Sequence, residues 1–342
     1  MQKIKLTEFT KGGGCGCKIP PAALNEILSG QFTSNQFGLI EGNSNGDDAA
    51  VWDMGDGNLL VSTTDFFTPI ADDPYDFGRI AAANSISDVY AMGAKPVMAL
   101  SVLAWPTEKL GTEIAAEVIR GARAVCAEAG IAIGGGHSIE NPEPIFGLAV
   151  NGFVSQENLK RNHTAKSGDY LIMTKPLGSG ILSTAMKRGL LTEELQKELI
   201  LYLTQLNKAG QMLGKYSAVH AMTDVTGFGL IGHLLEMASG SGLSARLNYD
   251  KIPLMNGVKE FASQMIYPDN TMRNWKAYNE KVAGISGESL LTLCDPQTNG
   301  GLLIAVKPSE LRNVMDELNI AGHSCFEIGE LIPFSGKEIE IN

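Results

Sequence analysis

Ala221-Met222-Thr223-Asp224-Val225-Thr226-Gly227-Phe228-Gly229 places an aspartate after a short segment and then enters a helix predicted over Leu230–Ala238 and ended at Gly240. The same order occurs earlier, where Thr64-Asp65 is followed by Phe77-Gly78 at the entry to another predicted helix. The echo is short, but it suggests two related halves that each alternate strand and helix, and therefore an α/β (α+β) chain of two domains. A length of 342 residues suits the same division.

Moving from that stretch toward the N-terminus, Ala49–Trp52 and Leu59–Ser62 flank the turn-forming Met54-Gly55-Asp56-Gly57-Asn58, a predicted strand pair with Asp48 and Asp65 at its outer ends. Phe77–Met92 is predicted to be a helix stopped by Gly93, with Asn84 and Asp88 four apart and so on one face among alanines. Thr112–Ala129 shows a clear apolar stripe, with Thr112 as its expected N-cap, Gly130 as its stop and Cys126 in the core. Ile131–Ile133 then leads into Gly134-Gly135-Gly136-His137-Ser138, which reads as a glycine turn whose N–H groups can approach an anion closely. The apolar strand Ile145–Phe153 follows it.

Polar and basic residues gather over Ser155–Ser167, and the domain boundary is placed there. The resulting division is an arm over 1–20, a first domain over 21–155 and a second over 156–342. The second opens with the strand Tyr170–Thr174, which runs into Lys175-Pro176-Leu177-Gly178-Ser179-Gly180-Ile181, a glycine turn of phosphate-binding type. A helix is expected over Glu193–Gly214. Past the opening stretch come a turn and strand over Asp295–Val306, a helix over Ser309–Leu318 and one final strand; Cys294 and Cys325 lie beside apolar strands and read as structural.

Composition narrows the function. With 44% hydrophobic and 19% charged residues the chain is an ordinary globular protein, and a net charge of −11 with a pI near 5.0 argues against a nucleic-acid surface. Anionic substrates then need metal ions as intermediaries. The charged opening Met1–Glu8 lacks the apolar core of a signal peptide and the run Val97–Trp105 is too short to span a bilayer, so a cytoplasmic location without membrane contact is expected. Five cysteines, an odd number in so long a chain, are expected to stay reduced.

At the N-terminus, Lys11-Gly12-Gly13-Gly14-Cys15-Gly16-Cys17-Lys18 places two thiols and two ammonium groups on a backbone with four glycines, which is expected to be mobile until a ligand or the rest of the chain pins it. Cys15 can act as a nucleophile or a soft ligand, its thiolate favoured by Lys11 or Lys18, and Lys18 can meet a phosphate as a point charge. Pro20 and Pro21 stop the arm before a short helix over Ala22–Leu28. Asp47, Asp48, Asp65, Asp88 and Asp224 all stand at ends of apolar segments or on small-residue faces. Such aspartates, converging from separate segments, can hold Mg2+ and through it a nucleotide.

The ordered motifs Gly12–Pro20, Gly46–Val51, Ser62–Ile70, Phe77–Pro96, Gly135–Ile139, Thr223–Leu230 and Thr298–Val306 together resemble the selenophosphate synthetase (selenide, water dikinase) family over almost the whole chain. The arm and the block Ile86–Pro96 are the specific part; the glycine turns are shared with related ATP-using enzymes. The resemblance implies a two-domain fold like that of aminoimidazole ribonucleotide synthetase (PurM-like) with mixed sheets, a homodimer associated through its N-terminal sheets, and conversion of ATP, selenide and water into selenophosphate, AMP and phosphate. It implies that Cys15 is catalytic with Lys18 as its partner, and that Asp48, Asp88 and Asp224 bind Mg2+. Contacts to ATP or its metal are implied for Lys18, Asn45, Gly46, Asp47, Asp65, Asp88, Gly135, Gly136, His137 and Ser138. It also brings a K+ requirement and a selenium-delivery protein into consideration, and it departs at Lys11, where some relatives have histidine. Cys15 either assists phosphoryl transfer or carries selenium as a selenosulfide. The competing readings are another ATP-using enzyme of the same fold, such as an aminoimidazole ribonucleotide synthetase or thiamine-phosphate kinase, and a non-catalytic selenium carrier built on Cys15 and Cys17.

Overall fold

The structure is a computed structural model that describes residues 4–10, 12–19, 21–28, 38–42 and 46–342. Lys11, Pro20 and Asn45, on which the sequence places a charge, a stop and a nucleotide contact, lie outside the described residues. Strands β1 (Leu39–Glu41), β2 (Ala50–Asp53), β3 (Asn58–Phe67), β4 (Lys95–Trp105), β5 (Ala132–Glu140) and β6 (Ile145–Ser155) form a six-stranded sheet in the order β1-β2-β3-β6-β4-β5. Strands β7 (Tyr170–Met173), β8 (Val219–Asp224), β9 (Leu243–Leu247), β10 (Val282–Ala283), β11 (Leu302–Val306), β12 (Phe326–Pro333) and β13 (Ile339–Ile341) form a seven-stranded sheet, ordered β10-β13-β9-β12-β7-β11-β8. Both sheets mix parallel and antiparallel pairs. The described helices are α1 (Pro21–Leu28), α2 (Pro74–Ala91), α3 (Thr112–Glu128), α4 (Ser179–Lys187), α5 (Glu193–Thr204), α6 (Ala209–Leu213), α7 (Gly229–Gly240), α8 (Val258–Ser263), α9 (Asp269–Tyr278), α10 (Gly287–Leu293) and α11 (Leu311–Ile320).

The predicted hairpin forms as its turn residues demand. Asp53 Oδ1 accepts from the Gly55 N–H at 2.8 Å, Asp56 Oδ1 accepts from the Asn58 N–H at 2.9 Å, and Gly55 and Gly57 take φ of 80° and 86°, which favour glycine. Helix α2 starts one turn earlier than the sequence indicates, because Asp73 accepts from the Asp76 N–H at 3.0 Å and Pro74 is preset for the first turn. It is buried on nearly every side, which explains why its sequence carries so little polar-apolar contrast. Its Gly78 and the Gly121 of α3 let the two backbones touch: a Cβ on Gly78 would meet Val118 O at 1.8 Å.

Four local expectations change. Gly111, not Thr112, occupies the N-cap of α3, with no side-chain cap. Gly134–Ser138 is no turn between strands but the middle of β5, a continuous edge strand paired in parallel with β4. Glycine there serves close approach, since a Cβ on Gly136 would meet Ser101 O at 2.1 Å. The helix expected over Glu193–Gly214 is broken into α5 and α6, because the Lys175 ammonium donates to Gln205 O at 2.7 Å and the Asn299 amide to Leu203 O and Gln205 O at 2.8 and 2.9 Å, capturing carbonyls that end α5. The chain closes with two strands, β12 and β13, rather than one.

Candidate active site

Three carboxylates meet where the two halves touch. Asp48 precedes β2, Asp88 lies on α2 and Asp224 ends β8, and one ligand oxygen from each lies within 4.8 Å of the others. Each is oriented by a hydroxyl: Thr223 Oγ1 donates to Asp48 Oδ1 at 2.8 Å, Thr63 Oγ1 to Asp88 Oδ2 at 2.6 Å, and Ser87 Oγ to Asp224 Oδ2. Ser87 in turn accepts from Asn207 Nδ2 at 2.8 Å. Burial, and then mutual repulsion, push the carboxyls of Asp48 and Asp88 well above the usual range, and burial pushes that of Asp224 up. Among the described residues Asp48 Oδ2 is buried with no hydrogen-bond donor. Carboxylates gathered this closely, with a buried oxygen still unsatisfied, are what a hard cation requires. The donor set therefore fits Mg2+.

The arm reaches this cluster through Lys18, whose ammonium lies 3.2 Å from Asp65 Oδ1 and 3.4 Å from Oδ2. Asp65 Oδ2 also accepts from Asn84 Nδ2 at 2.6 Å, and Ser85 Oγ donates to Asp65 O at 2.9 Å, so α2 fixes both ends of the residue that holds Lys18. The arm backbone is held upstream by Gly14 N–H donating to Thr68 O at 3.0 Å and Thr68 Oγ1 donating to Gly12 O at 2.9 Å. Cys15 and Cys17 belong to a single 3-10 turn, Gly14–Cys17; their side chains lie outside what the structure describes.

Gly46 and Asp47 immediately precede Asp48. Asn162, fully buried, donates its backbone N–H to Asp47 Oδ1 at 2.9 Å and its amide to Gly46 O at 2.8 Å. Glu41, Asp47 and His163 form a second group within 4.8 Å. Arg161 pairs with Glu41 there, and His163 Nδ1 faces Asn162 Oδ1 at 3.1 Å and Asp47 Oδ2 at 3.5 Å. The Asp47 carboxylate beside the ring raises the imidazole pKa, so the cationic form that pairs with it is favoured.

Two other sequence candidates are placed apart from this centre. The turn Lys175–Ile181 is filled by the chain itself: Gln297 Oε1 accepts from the Gly178 and Ser179 N–H groups at 3.0 and 3.1 Å, and Asp295 Oδ2 accepts from the Gly180 N–H at 3.0 Å. An internal carboxylate thus occupies the place a phosphate would take. Gly135, Gly136, His137 and Ser138 lie on β5, separated from β3 by β6 and β4, or about 14 Å at ~4.8 Å per strand. Register places His137 opposite Val102, on the sheet face turned away from α2.

The hydroxyls of Thr63 and Ser87 and the amides of Asn162 and Asn207 were not legible as site residues, since each acts on a partner distant in sequence. Thr223 alone carried a signal, beside Asp224 in the opening stretch.

The chain matches the description "AIR synthase related protein, N-terminal domain" over residues 46–154 and "AIR synthase related protein, C-terminal domain" over residues 166–342. It is 49% identical over 341 residues to a Haemophilus influenzae protein called selenide, water dikinase, covering 99% of both chains. It is 50% identical over 344 residues to a Pseudomonas putida protein of the same name, again covering 99% of both. Among solved structures, thiamine-monophosphate kinase from Stenotrophomonas maltophilia shares the fold with a TM-score of 0.66 at 20% identity, over 94% of this chain and 96% of that one.

Proposed function

The chain belongs to the selenide, water dikinase family of AIR synthase related proteins, and from that premise we propose that it makes selenophosphate, AMP and phosphate from ATP, selenide and water. The observation that carries the reading is the meeting of Lys18, from the arm that sets this family apart, with Asp65 beside the trio Asp48, Asp88 and Asp224. A kinase of the same fold without this arm, or a carrier of selenium, needs no such junction.

Phosphoryl transfer depends on offsetting charge on the phosphates and holding the attacking group in line. Asp48, Asp88 and Asp224 are the residues that would hold Mg2+, which when bound neutralises phosphate charge and orients the nucleotide. Lys18 adds a positive charge at the same place, and Asp65, oriented by Asn84, sets its position. Gly46 and Asp47, fixed by Asn162, line the nucleotide's edge. The glycine arm closes over bound nucleotide and keeps water from the γ-phosphate until selenide has attacked. Selenide displaces ADP from the γ-phosphorus, and a water then releases phosphate from that ADP to leave AMP. Cys15 either assists the first step or carries selenium to it. Excess free selenide restoring a Cys15→Ser variant identifies the carrier role; continued inactivity identifies the direct one.

The proposed protein is a cytoplasmic homodimer. Among the described residues no helix is long and apolar enough to cross a membrane. The first sheet is covered by α2 and α3 on one face, while Trp52, Phe66, Met98, Leu100 and Phe153 stay exposed on the other. A second copy seated on that face covers them. The same seating gives Gly135, Gly136, His137 and Ser138, which are distant from the trio of their own chain, an ATP contact across the interface. The domain division at 155/156 and the K+ requirement rest on the sequence reading and the resemblance.

Product analysis tests the activity. Selenide-dependent conversion of ATP to equal amounts of AMP and phosphate supports it; stoichiometric ADP with any acceptor contradicts it.

A further inference from the structure

We propose that Asn270, the second residue of α9, is a positioning residue that latches the catalytic arm from the second half of the molecule. Asn270 is 8% exposed, and its Nδ2 donates to Gly16 O at 2.6 Å. Its Oδ1 accepts from Arg273 Nη1 at 3.2 Å, one turn along the same helix. A cation can only face the amide oxygen, so Arg273 dictates that the amide nitrogen points at the arm. The Gly16 carbonyl belongs to the peptide that joins Gly16 to Cys17, so this bond fixes the backbone one residue beyond Cys15.

The remaining arm contacts show why a latch at this point matters. Upstream, Thr68 of the first half holds Gly12 and Gly14, and Lys187 Nζ donates to Thr10 O at 2.7 Å. Downstream, Lys18 is held by Asp65. Asn270 supplies, from the second half, a bond that falls between those two anchors. At Gly14 the passage is closed from both sides, since a Cβ there would meet Thr298 Oγ1 at 2.4 Å and Ile70 Cδ1 at 2.5 Å. Helix α9 is itself tied to the loop that follows Asp224, because Asn274 Nδ2 donates to Gly227 O and to Cys294 O, both at 3.0 Å. One helix thereby ties the arm to the segment that presents Asp224. Any shift of that segment when nucleotide arrives is passed to Gly16 through Asn270.

The inference rests on the reading of the arm as catalytic, and its test separates the two. Wild type, Asn270→Ala and the exposed Arg273→Ala are compared by steady-state kinetics, by thermal midpoint, and by the rate of Cys15 alkylation measured by mass spectrometry with and without a nonhydrolysable ATP analogue. The latch predicts that Asn270→Ala lowers kcat at least tenfold, leaves KM for ATP within twofold, shifts the midpoint by less than 3 °C and speeds Cys15 alkylation at least fivefold. Arg273→Ala moves the same quantities in the same direction by less, and covers the case in which Asn270→Ala does not fold. Unchanged kcat and alkylation in both variants overturn the latch, as does a parallel loss of midpoint, KM and kcat, which marks α9 as merely structural. If Cys15→Ser and Lys18→Ala keep full activity while alkylation still rises in Asn270→Ala, the catalytic reading of the arm fails and the latch stands as a structural clasp.

Discussion

The backbone N–H of Asn299, in the turn before β11, donates to Asn84 Oδ1, on α2, at 2.7 Å. The other end of the same amide donates to Asp65 Oδ2 at 2.6 Å. One buried side chain therefore joins the second half of the molecule to the carboxylate that holds Lys18. Asn299 adopts a positive φ of 48°, a conformation that costs a non-glycine residue free energy and is retained where contacts over-determine it.

Asn84→Ala removes both bonds and leaves the buried Asn299 N–H without its acceptor, a loss of roughly 1–3 kcal/mol. At about 2 °C or slightly more per kcal/mol for a chain of this size, the thermal midpoint falls by a few degrees. Activity falls further, by at least tenfold, because Asp65 loses its orientation; calorimetry and product formation on the same sample check the pair of effects.

The acidic trio makes stability depend on pH and Mg2+ together. Raised carboxyl pKa values mean that the folded state holds protons the unfolded chain has released, so without metal stability falls as pH rises from the ordinary carboxylate range through the folded values. Bound Mg2+ offsets that repulsion, and the midpoint gain from added Mg2+ is expected to grow with pH. Asp48→Asn raises the metal-free midpoint and abolishes the gain. A gain that does not grow as pH rises above the ordinary carboxylate range, or that the variant keeps, contradicts the assignment.

Asp295 gives a separate pH signature. Burial pushes its carboxyl up to about 7 while its Oδ2 caps the start of α4. Its proton is bound in the fold and lost in the unfolded chain between the ordinary carboxylate value and about 7, so stability drops as pH rises through that window. Asp295→Asn, measured by urea unfolding at pH 5 and pH 8, flattens the slope.

Thiol chemistry separates the arm from the core. Burial pushes the thiols of Cys126 and Cys294 up to about 11 and about 12, which leaves almost no thiolate at pH 8. A thiol titration there is expected to lose its fast phase when Cys15 and Cys17 are both replaced by serine, and to keep it when Cys126 is replaced.

Much of this was legible in the sequence. The hairpin between Asp48 and Asp65, the helix carrying Asn84 and Asp88, and the helix that follows Asp224 follow from local periodicity and turn residues, and those are the segments around the trio. Local pattern failed where distant groups decide. Asn299 and Lys175 break the helix expected over Glu193–Gly214 from almost a hundred and about thirty residues away. The Gly134–Ser138 run is a strand because β4 pairs with it, and nothing within the run announces that partner. The turn Lys175–Ile181 has the composition of an anion site, yet Asp295 and Gln297 fill it from 115 to 119 residues along the chain. Asn270 acts on Gly16 across 254 residues, which no spacing rule reaches.

The most direct measurement is anaerobic incubation with Mg-ATP and selenide followed by phosphorus NMR, comparing wild type with Cys15→Ser and Lys18→Ala. The account predicts a selenium-coupled phosphorus signal with matching AMP and phosphate in the wild type, lost in Lys18→Ala and, without excess selenide, in Cys15→Ser. ATP converted only to ADP, or a selenium-coupled signal undiminished in Lys18→Ala, would contradict it.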